Sequence, residues 1–484
     1  MLKRLRSKEP LFPGIIGYEK TVLPGIVNAI LSQHDFILLG LRGQAKSRIL
    51  RALAGFLDEY VPVIAGSHLN ESPFRPILSL SQQRAAEFGD DLPIEWLHRD
   101  QRYHEKLATP DVTVADLVGD IDPIKAATKK LSYDDEGVIH YGIIPRSNRG
   151  IFSINELPDL SPRIQVALLN VLEEEDIQIR GFPLRIPLDI QLVFTANPED
   201  YTNRGSIITP LKDRIDSQII THYPDRLEHA MLITEQEAWI DRDSECELRV
   251  PRYFRELIED VTFEARKSEF VDQKSGVSAR MPIALLENVL SNMERRAARL
   301  QEQVMYPRLT DLHIALTAMT GKMELVYEGE QEGPTLVARK IIGQAVKCIF
   351  RRYLPEPDVH SRKSDEQRSA EEVDQEEETE PEQDDVDSVY QPIVSWFAEG
   401  QTVDTSDELA SEDYLRRLKQ VSGLRETAVR GFSISDGQEI GLGMELVLEG
   451  LHQHSMLSKR DLDSTTSYRD MLRAMFDQMT QDNG

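Results

Sequence analysis

The feature that most narrows the fold of this chain is an apolar run, Phe36-Ile-Leu-Leu39, that stops at Gly40-Leu-Arg-Gly-Gln-Ala-Lys46-Ser47. Apolar positions then recur at helical spacing: Ile49, Leu50, Leu53, Phe56 and Leu57. A short apolar run bounded by glycine reads as a buried strand, and the spacing that follows reads as a helix. In this order, small residues let successive backbone N–H groups curl around a phosphate at a helix N-terminus. A lysine then reaches the outer phosphates and a hydroxyl serves Mg²⁺. Gly40, Gly43, Gln44, Ala45, Lys46 and Ser47 are therefore candidate contacts for a nucleotide such as ATP. Ala45 stands where loops of this kind usually carry glycine; if the position needs a positive φ, its methyl group costs on the order of 1 kcal/mol.

Two further apolar runs are expected to bring polar groups to the same pocket. Gly150-Ile-Phe-Ser-Ile-Asn155-Glu156 ends in an amide and a carboxylate. In the usual arrangement an aspartate holds the hydration shell of Mg²⁺ and the next glutamate polarises the attacking water. Asn155 can still hydrogen-bond a metal-bound water but adds no charge, so it is a candidate metal contact beside Ser47, and Glu156 is the candidate base. Ile190-Gln-Leu-Val-Phe-Thr195 leads into Ala196-Asn197-Pro198, where the Asn197 amide is suited to holding the water opposite the terminal phosphate. Between these two runs, a helix is expected over 164–174. Residues 177–186, alternating around Gly181-Phe-Pro183, read as a hairpin.

The wider pattern divides the 484 residues into four parts. Residues 12–222 alternate apolar runs with amphipathic stretches, as an α/β domain with a mainly parallel sheet does. Residues 225–354 show helical spacing and no convincing strand, which reads as an all-α domain. Residues 365–387 hold 13 acidic residues against one arginine, so 355–387 is expected to be a disordered spacer. Residues 388–484 read as a small, mostly helical region, with helices near 445–452 and 468–479.

Composition excludes several classes. Two distant cysteines, Cys246 and Cys348, fit a reducing cytoplasm and argue against a zinc site or a disulfide framework. No apolar run is long enough for a membrane span or signal peptide. A formal net charge of −27 argues against general attraction to nucleic acid. His98 and His104 lie in a polar stretch at a spacing poorly aligned for a metal pair on one helix, and are expected to be a solvated surface.

In this order and spacing the motifs resemble the AAA+ ATPases, and within them the branch of the magnesium chelatase ATPase subunit and the MoxR-type ATPases. The resemblance covers roughly residues 13–352. It is supported by Gly14-Ile-Ile-Gly17, Val118-Gly-Asp-Ile-Asp122 and Ile144-Pro-Arg-Ser-Asn-Arg-Gly150. It implies a P-loop domain with a parallel sheet flanked by helices, a helical lid, and a hairpin inserted between residues 67 and 140. It further implies assembly into a hexamer-like ring, in which Arg214 of Leu211-Lys-Asp-Arg214 enters a neighbouring subunit's site. Arg280 of Gly276-Val-Ser-Ala-Arg280-Met resembles the lid arginine that reports nucleotide state. Arg146, Arg149 and the stretch 201–205 are secondary candidates for a subunit boundary.

By the same resemblance the chain is expected to be an ATP-hydrolysing ring motor that remodels a protein partner carrying a von Willebrand A domain, without binding porphyrin itself. A MoxR-type chaperone for cofactor insertion or complex assembly shares these site residues. A nucleotide-gated scaffold with weak hydrolysis is the reading that Ala45 and Asn155 favour. The sequence holds no Gly-Ala-Phe-Thr-Gly-Ala run, which argues against a sigma-54 activator.

Overall fold

The computed structural model describes the chain except for residues 130–135, 180–184, 199–205, 358–385, 436, 463–464, 472 and 474–484. The Gly181-Phe-Pro183 breaker, the 201–205 stretch and nearly all of the acidic run lie outside the described residues. The chain divides into two units, Met1–Pro224 and Asp225–Gly484. Among the described residues no helix is long and apolar enough to cross a membrane.

The first unit is built on a five-stranded sheet, ordered Ser217–Ile220, Phe36–Leu39, Ile190–Ala196, Gly150–Asn155 and Tyr103–Leu107. Every pair in it is parallel. Phe36–Leu39 and Gly150–Asn155 are buried at every position, which explains why they read as unbroken apolar runs rather than alternating ones: a parallel sheet is covered on both faces. Alternate side chains supply two separate cores. Phe36, Leu38, Val193 and Ile219 pack with Val22, Ile26, Ile49 and Leu50 on one face. Ile37, Leu39, Phe152, Ile154 and Phe194 pack with Ile164, Leu168 and Val171 of the helix Pro162–Glu174 on the other. Each such burial contributes about 1.5–3 kcal/mol.

Register aligns the strand ends. Leu39 pairs with Ala196 and Ile220, and Asn155 with Leu107, so the residues that follow these strands emerge along one edge of the sheet. The expected hairpin is present, with Ile177 opposite Ile186. Residues 67–140, expected to hold one inserted hairpin, contribute an antiparallel pair, Gly119–Ile121 with Ile139–Tyr141, and Ile94–His98, which pairs with Tyr60–Ile64. His98 and His104 sit on the strands Ile94–His98 and Tyr103–Leu107 rather than on one helix. His98 accepts a hydrogen bond from the Asp100 backbone N–H and caps a short turn.

In the second unit, residues from 246–354 and 390–468 share a single hydrophobic core. Its long helices are Arg252–Lys267, Arg280–Leu300 and Pro334–Tyr353. The region read as free of strands carries one two-residue pairing, Glu247–Leu248 with Val304–Met305. A buried ion pair, Arg296 to Asp311 at 2.6 Å, ties its helices together. The helix near 445–452 is present as Ile440–Gln453. The start of the helix expected over 468–479 is corrected: Tyr468 lies in the strand Thr465–Asp470 of a three-stranded antiparallel sheet, Met471 and Arg473 are helical, and residues 474–479 lie outside the described residues. Tyr468 is buried in its strand, and its hydroxyl donates to Glu449 Oε2 at 2.8 Å. This strand is polar and short, so its pairing with Val403–Ser406 and Leu457–Leu462, not its own pattern, decides its conformation.

At the opposite edge of the first sheet, Asp35 Oδ1 accepts from Leu192 N at 2.7 Å and Gln191 Nε2 at 3.1 Å, while its own N–H donates to Asp216 Oδ2 at 3.0 Å. Burial, and then the neighbouring Asp216 charge, push the Asp35 carboxyl up to about 7. The neutral acid is therefore the form the fold favours. Its contribution to stability is complete below the unfolded value near 4 and is lost as pH rises through about 7. Asp35→Asn keeps both acceptor bonds without the charge. It is expected to stabilise the chain by roughly 1–2 kcal/mol at pH 8 and by much less at pH 5, as measured by urea unfolding at the two pH values.

Candidate functional site

The loop after Phe36–Leu39 is pinned from outside. Gly40 has no room for a side chain: an added Cβ would lie 1.9 Å from Thr221 Oγ1 and 2.1 Å from Gln44 Oε1. Those two atoms are themselves bonded, with the Thr221 hydroxyl donating to Gln44 Oε1 at 2.6 Å. Tyr18 and Tyr223 donate their hydroxyls to the carbonyls of Gln44 (3.1 Å) and Arg42 (2.8 Å). The Gln44 side chain is thus engaged inside the protein, which leaves its backbone N–H as what it can offer a ligand. Gly43 takes φ 75°. Ala45 takes φ 56° and ψ 14°, the left-handed conformation that glycine tolerates best, immediately before the helix Lys46–Ala52. The sequence expectation of strain at Ala45 therefore has its geometric basis.

Three of the candidate side chains meet beside this loop. Lys46 is only 7% exposed. Its ammonium donates to the Gly40 carbonyl at 2.5 Å, the Leu41 carbonyl at 3.0 Å and Asn197 Oδ1 at 2.6 Å. The Asn197 amide in turn donates to Glu156 Oε2 at 3.0 Å. Glu156 adopts φ 55°, and its backbone N–H donates to Thr195 Oγ1 at 3.0 Å. A non-glycine residue in that conformation costs on the order of 1 kcal/mol, a cost met where the surroundings over-determine the geometry.

The Thr195 hydroxyl donates to Asn155 Oδ1 at 3.3 Å. The Asn155 amide donates to Glu105 Oε1 at 2.5 Å, and Glu105 is held by Arg51 Nε at 2.8 Å. Glu105 was not singled out in the sequence, because its strand, Tyr-His-Glu-Lys-Leu, has no apolar signature. Only the pairing of Leu107 with Asn155 brings it to the strand end.

The donor set suits a magnesium nucleotide. A glycine cradle without space for a side chain, a buried ammonium and a polar strand end match a polyphosphate. The Ser47 hydroxyl and the Asn155 amide oxygen are hard oxygen donors of the kind that would suit Mg²⁺.

Within the first unit, Arg214, Arg146 and Arg149 have other partners. Arg214 closes the helix Thr209–Arg214 and pairs with Glu173 Oε2 at 2.6 Å. Arg280 is exposed at the start of its helix in the second unit. Arg146 donates to the Gly142 carbonyl, and Arg149 to that of Pro62 at 2.7 Å.

The chain is similar to known proteins in both sequence and structure. Residues 128–220 match the model of the sigma-54 interaction domain family. Over 224 residues, 44% of this chain and 49% of its relative, the chain is 28% identical to the chloroplastic magnesium-chelatase subunit ChlI of Chlamydomonas reinhardtii. Over 95 residues, 19% of each, it is 33% identical to the hydrogenase transcriptional regulatory protein HoxA of Cupriavidus necator. The chain thus spans about half the length of the first curated relative and a fifth of the second. Among solved structures it is similar to a complex of the magnesium chelatase subunits BchI and BchD (21% identity, TM-score 0.35, 66% of this chain and 98% of that one). A putative ATPase from Cytophaga hutchinsonii is also similar (16% identity, TM-score 0.31, 70% and 93%). In sequence the chain resembles the chelatase subunit ChlI, and the parallel sheet of its first unit, flanked by helices, is consistent with the P-loop fold of AAA+ domains.

The left-handed Ala45 gives a direct check on the loop. Ala45→Gly is expected to raise the free energy of unfolding by about 1 kcal/mol, measured by chemical denaturation. A loss of stability would mean that position 45 is not held at positive φ.

Proposed function

We propose that this chain binds ATP with Mg²⁺ at residues 40–47 and hydrolyses it, acting as a ring-forming motor that remodels a protein partner. The observation that carries the reading is the unbroken contact from the Lys46 ammonium through Asn197 to the Glu156 carboxylate, at the edge of a parallel sheet where ligands of such folds bind. Lys46 exchanges the Gly40 and Leu41 carbonyls for phosphate oxygens. Glu156, fixed by its own N–H on Thr195 and by the Asn197 amide, polarises the attacking water, and Asn197 positions that water. Ser47 and Asn155 hold Mg²⁺, which when bound neutralises charge on the phosphate oxygens. Arg214 acts on a neighbouring copy's nucleotide after leaving Glu173, and Arg280 reports nucleotide state from the helical unit.

The similarity to the magnesium-chelatase subunit ChlI supports a role beside other subunits; in this reading the partner is a von Willebrand A domain protein and the working form a hexamer-like ring. A MoxR-type chaperone uses the same residues; insertion of Mg²⁺ into protoporphyrin, assayed with the candidate partner, separates the two. The match to the sigma-54 interaction domain is confined to 128–220, and the Gly-Ala-Phe-Thr-Gly-Ala run is missing from the sequence. The neutral Asn155 favours one second reading, a nucleotide-gated scaffold with weak turnover.

Calorimetry and phosphate release distinguish these outcomes. Lys46→Ala is expected to weaken ATP binding by at least 100-fold. Glu156→Gln is expected to leave binding within a few-fold while turnover falls by 10²-fold or more. Arg214→Ala is expected to lower turnover by a similar factor without changing affinity. If the parent chain binds ATP and forms rings but releases phosphate only at background, the scaffold reading replaces the motor.

A further inference from the structure

The Mg²⁺ site as read from the sequence is one negative charge short, because Asn155 stands where an aspartate is expected. The fold brings a carboxylate to that position from the neighbouring strand. Glu105 lies two residues before Leu107, the register partner of Asn155, and its Oε1 accepts the Asn155 amide at 2.5 Å. The amide is thereby oriented, with Nδ2 toward Glu105 and Oδ1 toward the Thr195 hydroxyl. The other partner of Glu105 is Arg51, one helical turn beyond Ser47 and therefore on the same helix face. Glu105 is thus bracketed between the two residues assigned to the metal, touching one and facing the helix stripe of the other.

We propose that Glu105 supplies the anionic charge of the Mg²⁺ site, taking over from the adjacent strand the electrostatic role of an aspartate at position 155. This rests on the reading of residues 40–47 as a magnesium–nucleotide pocket. Arg51 is an exchangeable partner, since its side chain is 66% exposed and surface pairs of this kind contribute little. A divalent cation at the strand end offers the carboxylate a stronger counter-charge than a solvated guanidinium. The arrangement also explains how position 155 tolerates a neutral amide. An aspartate there would stand against Glu105 with like charge, whereas asparagine donates to it.

The test is a charge relocation, read as metal affinity and not as turnover. Mn²⁺ binding to the full chain saturated with adenosine diphosphate is followed by electron paramagnetic resonance, and nucleotide affinity in EDTA is measured alongside. Glu105→Gln is expected to weaken Mn²⁺ at least tenfold while nucleotide affinity in EDTA stays within a few-fold. Adding Asn155→Asp to that variant is expected to restore Mn²⁺ affinity to within about threefold of the parent. Arg51→Gln is expected to leave it unchanged or tighter. Unchanged Mn²⁺ affinity in Glu105→Gln, failure of Asn155→Asp to restore it, or an equal loss in Arg51→Gln would each overturn the proposal; the last would make Glu105 a strut for the helix. A parent chain that binds no nucleotide, with or without metal, would instead remove the pocket reading beneath it.

Discussion

A buried ammonium must be held by other polar groups, and the first unit gathers oxygens around Lys46. Two carbonyl oxygens and an amide oxygen surround its Nζ. Dipoles of this kind satisfy hydrogen bonds that an ammonium removed from water would otherwise lose. The rest of the unit follows from holding that charge in place. The loop must curl tightly enough for Lys46 to turn back on Gly40, which requires the bare Cα at Gly40 and positive φ at positions 43 and 45. The strand ends must align so that Asn197 and Glu156 arrive beside it, which the parallel registers of the three inner strands ensure.

Much of this was legible in the sequence because a parallel sheet buried on both faces writes itself as short unbroken apolar runs. Phe36–Leu39, Gly150–Asn155 and Ile190–Ala196 are the three inner strands, and each ends in the polar residues that form the site. What escaped notice depends on partners distant in sequence. Tyr103–Leu107 edges the sheet, so its residues are only half-buried or exposed and its pattern is polar; nothing local marks Glu105 as the neighbour of a residue fifty positions away. The same holds for Thr465–Asp470, which alternates weakly and becomes a strand through Val403–Ser406 and Leu457–Leu462. The single core joining residues on both sides of the acidic run is likewise a non-local fact: a break in composition does not mark where a core ends.

The two acidic partners found only in the structure act alike. Glu105 holds Arg51 and Glu173 holds Arg214, each through a planar guanidinium–carboxylate contact at 2.6–2.8 Å. A guanidinium grips carboxylate and phosphate with the same donor fork, so Glu173 keeps Arg214 in an arrangement that a phosphate can take over. Both members of that pair are partly exposed, at 29% and 53%, and a solvated pair of this sort is worth about 0–1 kcal/mol. Its release is therefore a small cost beside the charge-assisted bonds a phosphate offers. Under the proposed reading the isolated chain parks its arginine on a weak internal partner, and the stronger anion of a neighbouring site draws it out. That ordering makes turnover depend on assembly without a separate latch, because the difference between the two anions is itself the driving force.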